Sequence, residues 1–196
     1  MPKNSAIRSF YFLRHGETDW NVEGRSQGQL PGIALNELGR QQAENAAKIL
    51  HNIAFTHIVS SPLQRAMETT HIINTRNLPV TTHAGFMERN SGSWQGKIKA
   101  EIYAMHGRTP PAGPLHGPYD IPLPEDAETY PQMDARVEQA LHETFANVAG
   151  TFLIVAHGGV FFSLNKILRG QTMQSKNAVP YHFHHTAGGW QLNEIV

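Results

Sequence analysis

Apolar and polar positions along the chain follow two rhythms. Ile7–Leu13 (IRSFYFL), rich in aromatic and aliphatic residues, predicts a buried strand. Thr151–Ala156 (TFLIVA), continuously apolar between Gly150 and the Gly158-Gly159 pair, predicts a central parallel strand. Thr56–Ser60 (THIVS) and Pro79–His83 predict two further short strands. Between them the rhythm lengthens. Leu38, Gln42, Ala46, Ile49, Leu50 and Ile53 recur at helical spacing, which predicts an amphipathic helix from about 36 to 53. Asn36 is its expected N-cap, with Gly39 tolerated in the early turns. Ser61-Pro62 has the form of an N-cap followed by proline at the first helical position, and predicts a helix to about Thr75. Glu125–Val148 returns to helix, with Asp126 and Glu128 near its positive N-terminus, and a last helix runs to about Leu168. Two strands, near 179–185 and 189–195, close the chain.

Strands alternating with helices predict an α/β fold: a three-layer α/β/α sandwich around a mostly parallel central sheet. At 196 residues the chain suffices for one sizeable core and is short for two, so a single domain over 1–196 is expected. Gly24–Gly39, with four glycines and a proline, predicts a loop running into a helix. Arg108–Pro124 holds six of the twelve prolines and predicts irregular chain, part of a Pro-rich lid insertion at about 97–125.

In open parallel sheets, ligands collect at the carboxyl ends of the strands. Two of the strongest predicted strands end alike, in FLRHG at Phe12–Gly16 and IVAHGG at Ile154–Gly159. A parallel sheet therefore brings His15 and His157 to one edge. THIVS adds Ser60-Ser61-Pro62 there, and Arg65 follows in the next helix. Two imidazoles, two guanidiniums and helix N-termini then converge as an anion site, with phosphate the expected anion. Arg14 beside His15 opposes protonation of that imidazole, and a neutral ring among cations suits nucleophilic attack.

Composition narrows the chemistry. Forty per cent hydrophobic and 16% charged residues describe a globular chain. Sixteen basic residues balance sixteen acidic ones, so the basic excess of a nucleic-acid binder is missing, while a local cationic pocket stays open. The absence of cysteine excludes disulfides, thiolate zinc sites and cysteine nucleophiles. MPKNSAIRSFYFLRHG carries no signal-peptide core and no run approaches membrane-spanning length, so a cytoplasmic protein without membrane association is expected. His182, His184 and His185 form an H-x-H-H cluster on a predicted strand. No third ligand at a telling spacing joins them, so a polar strand face rather than a metal centre is expected. Trp20, Trp94 and Trp190 are expected to pack. Singly, a histidine or a helical arginine is most often an ordinary surface or core residue. The ordered set overturns that reading: strand-end Arg-His-Gly, Ser-Pro-x-x-Arg helix start, loop carboxylate, strand-end His-Gly-Gly.

That set resembles the histidine phosphatase superfamily, whose founding members are the cofactor-dependent phosphoglycerate mutases. The resemblance covers nearly the whole chain. It is carried by Leu13–Thr18 (LRHGET) with Trp20-Asn21, Leu35–Gly39 (LNELG), Ser60–Arg65 (SSPLQR), Glu88–Gly96 (ERNSGSWQG) and Ala156–Gly159 (AHGG). It implies that His15 attacks phosphorus and becomes a phosphohistidine. Arg14, Arg65 and His157 would bind the phosphoryl oxygens, with Asn21, Gln27, Arg89 and Gly158 as further phosphate- or substrate-binding residues. Charge spread over three equatorial oxygens needs fixed donors around it. His157, if protonated, would stabilise that charge, whereas His15 must be neutral to attack. Glu88 would be the general acid for the leaving oxygen and then the base that activates water. Neighbouring Phe86 and Trp94 would desolvate it if they approach. Neither metal nor organic cofactor is implied for hydrolysis.

The resemblance also frames a choice of reaction. Family mutases hold the glycerate carboxylate with Arg and Lys in the insertion and Asn after the second His-Gly. Arg89 and Lys99 fit part of that pattern, but Arg108 stands alone before Pro110-Pro111, and His157-Gly158-Gly159 lacks the Asn. The last strand ends at Val196 without a tail to cover the site, and a short cover favours hydrolysis. A phosphomonoesterase acting on a small phosphorylated metabolite is therefore the expected function. The alternatives are a phosphoglycerate mutase, which alone would need 2,3-bisphosphoglycerate as primer, and a non-catalytic phosphate-binding module. No nucleic-acid partner is expected, and a homodimer is compatible with the chain.

Overall fold

The computed structural model describes residues 9–110 and 120–196; the start of the predicted first strand and the centre of the Pro-rich insertion lie outside the described residues. Six strands form one sheet: β1 (Ser9–Arg14), β2 (His57–Ser60), β3 (Val80–Thr82), β4 (Phe152–Ala156), β5 (Pro180–Thr186) and β6 (Gly189–Glu194). Their order is β3-β2-β4-β1-β5-β6. The first four pair in parallel, and β5 and β6 add antiparallel at the β1 side. Around the sheet lie α1 (Asp19–Val22), α2 (Glu37–His51), α3 (Gln64–Ile73), α4 (Lys99–Met105), α5 (Tyr130–Asn147) and α6 (Gly158–Arg169). The fold is the α/β sandwich that the sequence predicts.

Alternation within the strands sorts the core into two layers. Phe10, Phe12, Phe152 and Ile154 face α5 and α6, where Val137, Leu141 and Phe161 meet them. Leu13, Ile58, Leu153 and Val155 face α2 and α3, against Ala43, Ala46, Leu50 and Ala66. β4 is buried along its whole length, as a strand covered on both faces must be. Phe10 stacks on Phe183 at 4.8 Å and on Phe152 at 5.7 Å. Each such ring contributes about 1.5–3 kcal/mol through burial.

Two boundaries differ from expectation, each for a local reason. α3 starts at Gln64 with Leu63 at the N-cap and no side-chain cap. Ser61 Oγ instead lies 2.7 Å from His157 Nε2, while accepting from Leu63 N at 3.3 Å. α5 starts at Tyr130, because Thr129 and Gln132 form a reciprocal capping box there. Asp126 and Glu128 are then not helix-dipole partners: they accept from Ser93 N and Asn90 N, at 3.0 and 3.1 Å, and hold the 88–94 loop. The first part of the 97–125 insertion is helical, ahead of the 108–124 stretch expected to be irregular. This helix is α4, whose Ile102 and Tyr103 pack with Trp94 and Ile121 in a satellite cluster.

Candidate active site

Register sets the site. Arg14 pairs with Ala156 across β1 and β4, so His15 and His157 leave the sheet side by side, with ring centroids 5.2 Å apart. Ser60 aligns with Val155 on the far side of β4, which delivers Ser61 to the same edge.

His15 is nearly fully buried, and its Nδ1 lies 2.7 Å from the Gly16 carbonyl oxygen. A carbonyl only accepts, so Nδ1 carries the proton and Nε2 carries the lone pair. Asn177 Nδ2 donates to the His15 carbonyl at 2.9 Å, and His15 N donates to Ala156 O at 3.0 Å. Beneath the ring, the 14–18 segment rests on the backbone of α2. A Cβ on Gly16 would overlap the Gly39 carbonyl, and a Cβ on Gly39 would overlap the Glu17 backbone. Gly39 is therefore required by close approach rather than merely tolerated. Asn36 seals the contact: its Oδ1 caps Gly39 N at 2.8 Å and its Nδ2 donates to Glu17 Oε1 at 3.0 Å.

Arg14 and Arg65 lie beside His15, 4% and 1% exposed. Arg14 Nη1 donates to Ser175 O at 3.1 Å, and Arg65 Nη2 to Gly28 O at 2.8 Å. Both Nε atoms are buried without a partner. Burial pushes each guanidinium down to about 10, with Glu88 opposing the shift, so both stay charged at neutral pH. His157 has no exposed surface, and its Nδ1 also lacks a partner. Burial, then the neighbouring Arg65, His15 and Arg14 side chains, hold it well below the ordinary histidine range. It is thus neutral in the unligated site, not the imidazolium entertained from sequence. It stands behind His15, and neither it nor Gly158 lines the cleft.

The cleft wall includes Arg14, His15, Asn21, Gln27, Arg65, Glu88 and Arg89, all named from sequence. Glu88 accepts from two backbone groups, Arg89 N at 2.8 Å and Gly159 N at 3.1 Å. Phe86 lies in the main core and Trp94 in the satellite cluster; the apolar groups on the wall are Met133 and Phe162 instead. Arg136 braces the Glu88 loop, donating to Gly85 O at 2.8 Å and Met87 O at 2.9 Å while paired with Glu128 at 2.7 Å. Asn21 Oδ1 accepts from Thr18 N at 3.1 Å in a capping box, so its amide nitrogen is the donor left for the cleft. Gln27 differs. Its Nε2 donates to Thr18 Oγ1 at 2.9 Å, and its Oε1 is buried unpartnered. Arg89 Nη1 donates to Glu128 O at 3.0 Å, and its guanidinium lies 5.0 Å from the Tyr130 ring centre.

Sequence reasoning missed Arg25, which lines the cleft with Nη1 donating to Gly96 O at 2.7 Å. Its only signal was a cation between loop glycines. Lys99, noted from sequence only as a mutase-like feature, is also on the wall. Burial lowers its proton affinity, with Glu88 opposing. Five cationic side chains and one carboxylate thus border the cleft. Such a wall favours a polyanion and brings an imidazole and a carboxyl group to the same cleft. Among the described residues no cluster of three metal-ligating side chains occurs, and His182 stacks on Tyr11 and His184 at 4.5 and 4.9 Å.

The chain is similar to known proteins in sequence and in fold. The family model for the histidine phosphatase superfamily (branch 1) matches residues 10–195. A glucosyl-3-phosphoglycerate phosphatase of Mycolicibacterium vanbaalenii is 33% identical over 84% of this chain and 75% of its own. A 2,3-bisphosphoglycerate-dependent phosphoglycerate mutase of Nitratidesulfovibrio vulgaris is 31% identical over 86% and 80%. The solved structure of a mycobacterial glucosyl-3-phosphoglycerate phosphatase in complex with VO3 superposes with a TM-score of 0.80, at 31% identity, over 95% of this chain and 98% of that one.

Proposed function

This chain belongs to the histidine phosphatase superfamily, and on that premise we propose that it hydrolyses a small phosphomonoester through a phosphohistidine on His15. The observation that carries the reading is the pair of buried guanidiniums, each with an unpartnered Nε–H, beside an imidazole whose Nδ1 is already committed to a carbonyl. A buried donor left unpaired costs about 1–3 kcal/mol, and a phosphoryl oxygen relieves it. In the first step Nε2 attacks phosphorus, the bond to the leaving oxygen breaks, and Glu88 delivers its proton there. In the second, Glu88 takes a proton from water, the water oxygen attacks phosphorus, and the P–N bond breaks to restore neutral His15. Arg14 and Arg65 hold the phosphoryl oxygens throughout. The Asn21 amide supports them from the front, and His157 from behind.

The surplus of positive charge supports a narrower statement. Arg14 and Arg65 suffice for one phosphoryl group, while Arg89, Lys99 and Arg25, the last paired with Glu23 at 2.7 Å, line the same wall. The substrate therefore carries a second anionic group, a carboxylate or another phosphate. The similarity to a phosphatase of a phosphoglycerate derivative is consistent with that class.

A substrate panel tests the proposal: p-nitrophenyl phosphate, sugar phosphates, and 3-phosphoglycerate with and without 2,3-bisphosphoglycerate. Phosphate release is expected to exceed isomerisation, and rapidly quenched enzyme is expected to carry acid-labile phosphate that His15→Ala abolishes. Primer-stimulated isomerisation outrunning phosphate release would replace the phosphatase reading with the mutase one. Full turnover by His15→Ala would sink both.

A further inference from the structure

Glu88 must be held still above the phosphoryl pocket, and its two backbone partners are not equivalent. Arg89 N belongs to the same loop and travels with it. Gly159 N belongs to α6, which continues directly from the strand end bearing His157. Gly159 is thus the partner that ties the carboxyl to the framework of the imidazoles. Its backbone is ordinary helix, so nothing in its torsions asks for glycine. The space around it does. A Cβ at 159 would overlap Glu88 Oε1 and approach Glu88 Cδ at 3.1 Å and Met133 Cε at 3.0 Å.

We propose that Gly159 is a positioning residue for Glu88, its N–H seating the carboxyl and its missing side chain leaving room for it. The proposal rests on the reading of Glu88 as general acid. Any side chain at 159 competes with that carboxylate for one volume. The overlapping atoms are the ends of flexible side chains, so the fold survives and Glu88 swings away. A methyl group at this site then acts first on proton delivery, because the atoms it meets first belong to Glu88 and Met133 rather than to Arg14, His15 or Arg65.

Gly159→Ala tests this through the leaving group. The step up to phosphohistidine is reported by kcat/KM. An alkyl phosphate expels an alkoxide that needs a proton, whereas 2,4-dinitrophenyl phosphate expels a stable anion. Gly159→Ala is expected to lower kcat/KM for the alkyl phosphate about 100-fold, the lower end of general-acid effects, and to change the dinitrophenyl ester little. Inhibition by inorganic phosphate and the urea midpoint are expected to stay near wild type. In a Glu88→Gln background, Gly159→Ala should add no further loss on the alkyl ester. Equal losses on both esters, an unchanged alkyl rate or a large drop in the urea midpoint would each overturn the proposal. Glu88→Gln alone separates the two readings. If it shows the leaving-group-dependent loss and Gly159→Ala does not, Gly159 has no positioning role; if Glu88→Gln shows none, Glu88 is not the acid and both readings fall.

Discussion

Gly39→Ala sets helix propensity against the seat of His15. Gly39 is the third residue of α2, where alanine would ordinarily stabilise the helix by up to about 1 kcal/mol. Its Cβ, however, would overlap the Glu17 carbonyl oxygen and lie 2.7 Å from Glu17 N and 2.9 Å from Glu17 C. These are backbone atoms and cannot rotate aside. The 14–18 segment must retreat by about 1 Å to restore ordinary contact. That retreat strains two anchors on Glu17, the bonds from Asn36 N and Asn36 Nδ2, each 3.0 Å. Overpacking of this kind costs about 1–3 kcal/mol, so against a propensity gain of up to about 1 kcal/mol the net loss reaches about 2 kcal/mol. The effect on catalysis is larger, because His15 rides on the displaced segment. A misplacement of about 1 Å lowers turnover roughly 100-fold. Urea denaturation and kcat/KM on p-nitrophenyl phosphate measure the two effects on one preparation. A Gly39→Ala protein that is more stable than wild type and fully active would refute the reasoning, since propensity would then have won and the backbone contact would be soft.

Three further outcomes are expected. His157 is held neutral in the fold by burial and by Arg65, His15 and Arg14, whereas in the unfolded chain it takes a proton near its ordinary value of 6.5. Its contribution to stability is present above that value and lost as pH falls below it, at about 1.4 kcal/mol per pH unit until its depressed folded value is reached. Urea titrations at about pH 7.5 and about pH 5.5 should show a steeper acid loss in wild type than in His157→Gln, and identical slopes would contradict the assignment. Ser61→Ala removes the 2.7 Å partner of His157 Nε2 and leaves a buried polar atom unpaired, so it should cost about 1–3 kcal/mol in urea and lower turnover; a neutral result would mean water replaces the hydroxyl. Lys99→Ala should raise KM about 10-fold or more for phosphate esters that carry a carboxylate or second phosphate, and leave p-nitrophenyl phosphate nearly unchanged, a pattern read from steady-state kinetics. Equal effects on both substrates would show that Lys99 serves the reacting phosphoryl group itself.

Much of this protein is written in short-range signals. Continuous apolar runs such as TFLIVA can only be strands buried on both faces, and glycine after each strand-end histidine marks where the chain turns from the sheet. Alternating strands and helices leave few topologies, and a parallel sheet then forces His15 and His157 to one edge. That His15, Arg14, Arg65 and Glu88 share one cleft was legible because each sits at such a strand end, helix start or spaced motif. Other features depend on atoms distant in sequence. That Gly39 is a contact surface, that Ser61 turns to His157 instead of capping α3, and that Asp126 and Glu128 brace a loop are all settled by partners 20 to 100 residues away. Arg25 and Lys99 reach the cleft only because the 24–26 and 96–99 segments pair with each other. The protonation of His157 is likewise a collective property, set by burial and by neighbouring Arg65, His15 and Arg14 that only the folded chain assembles. Local sequence determines which chemical groups stand at the ends of the strands; the tertiary structure decides their spacing, their proton affinities and the room left between them, because those are sums over neighbours that no short window contains.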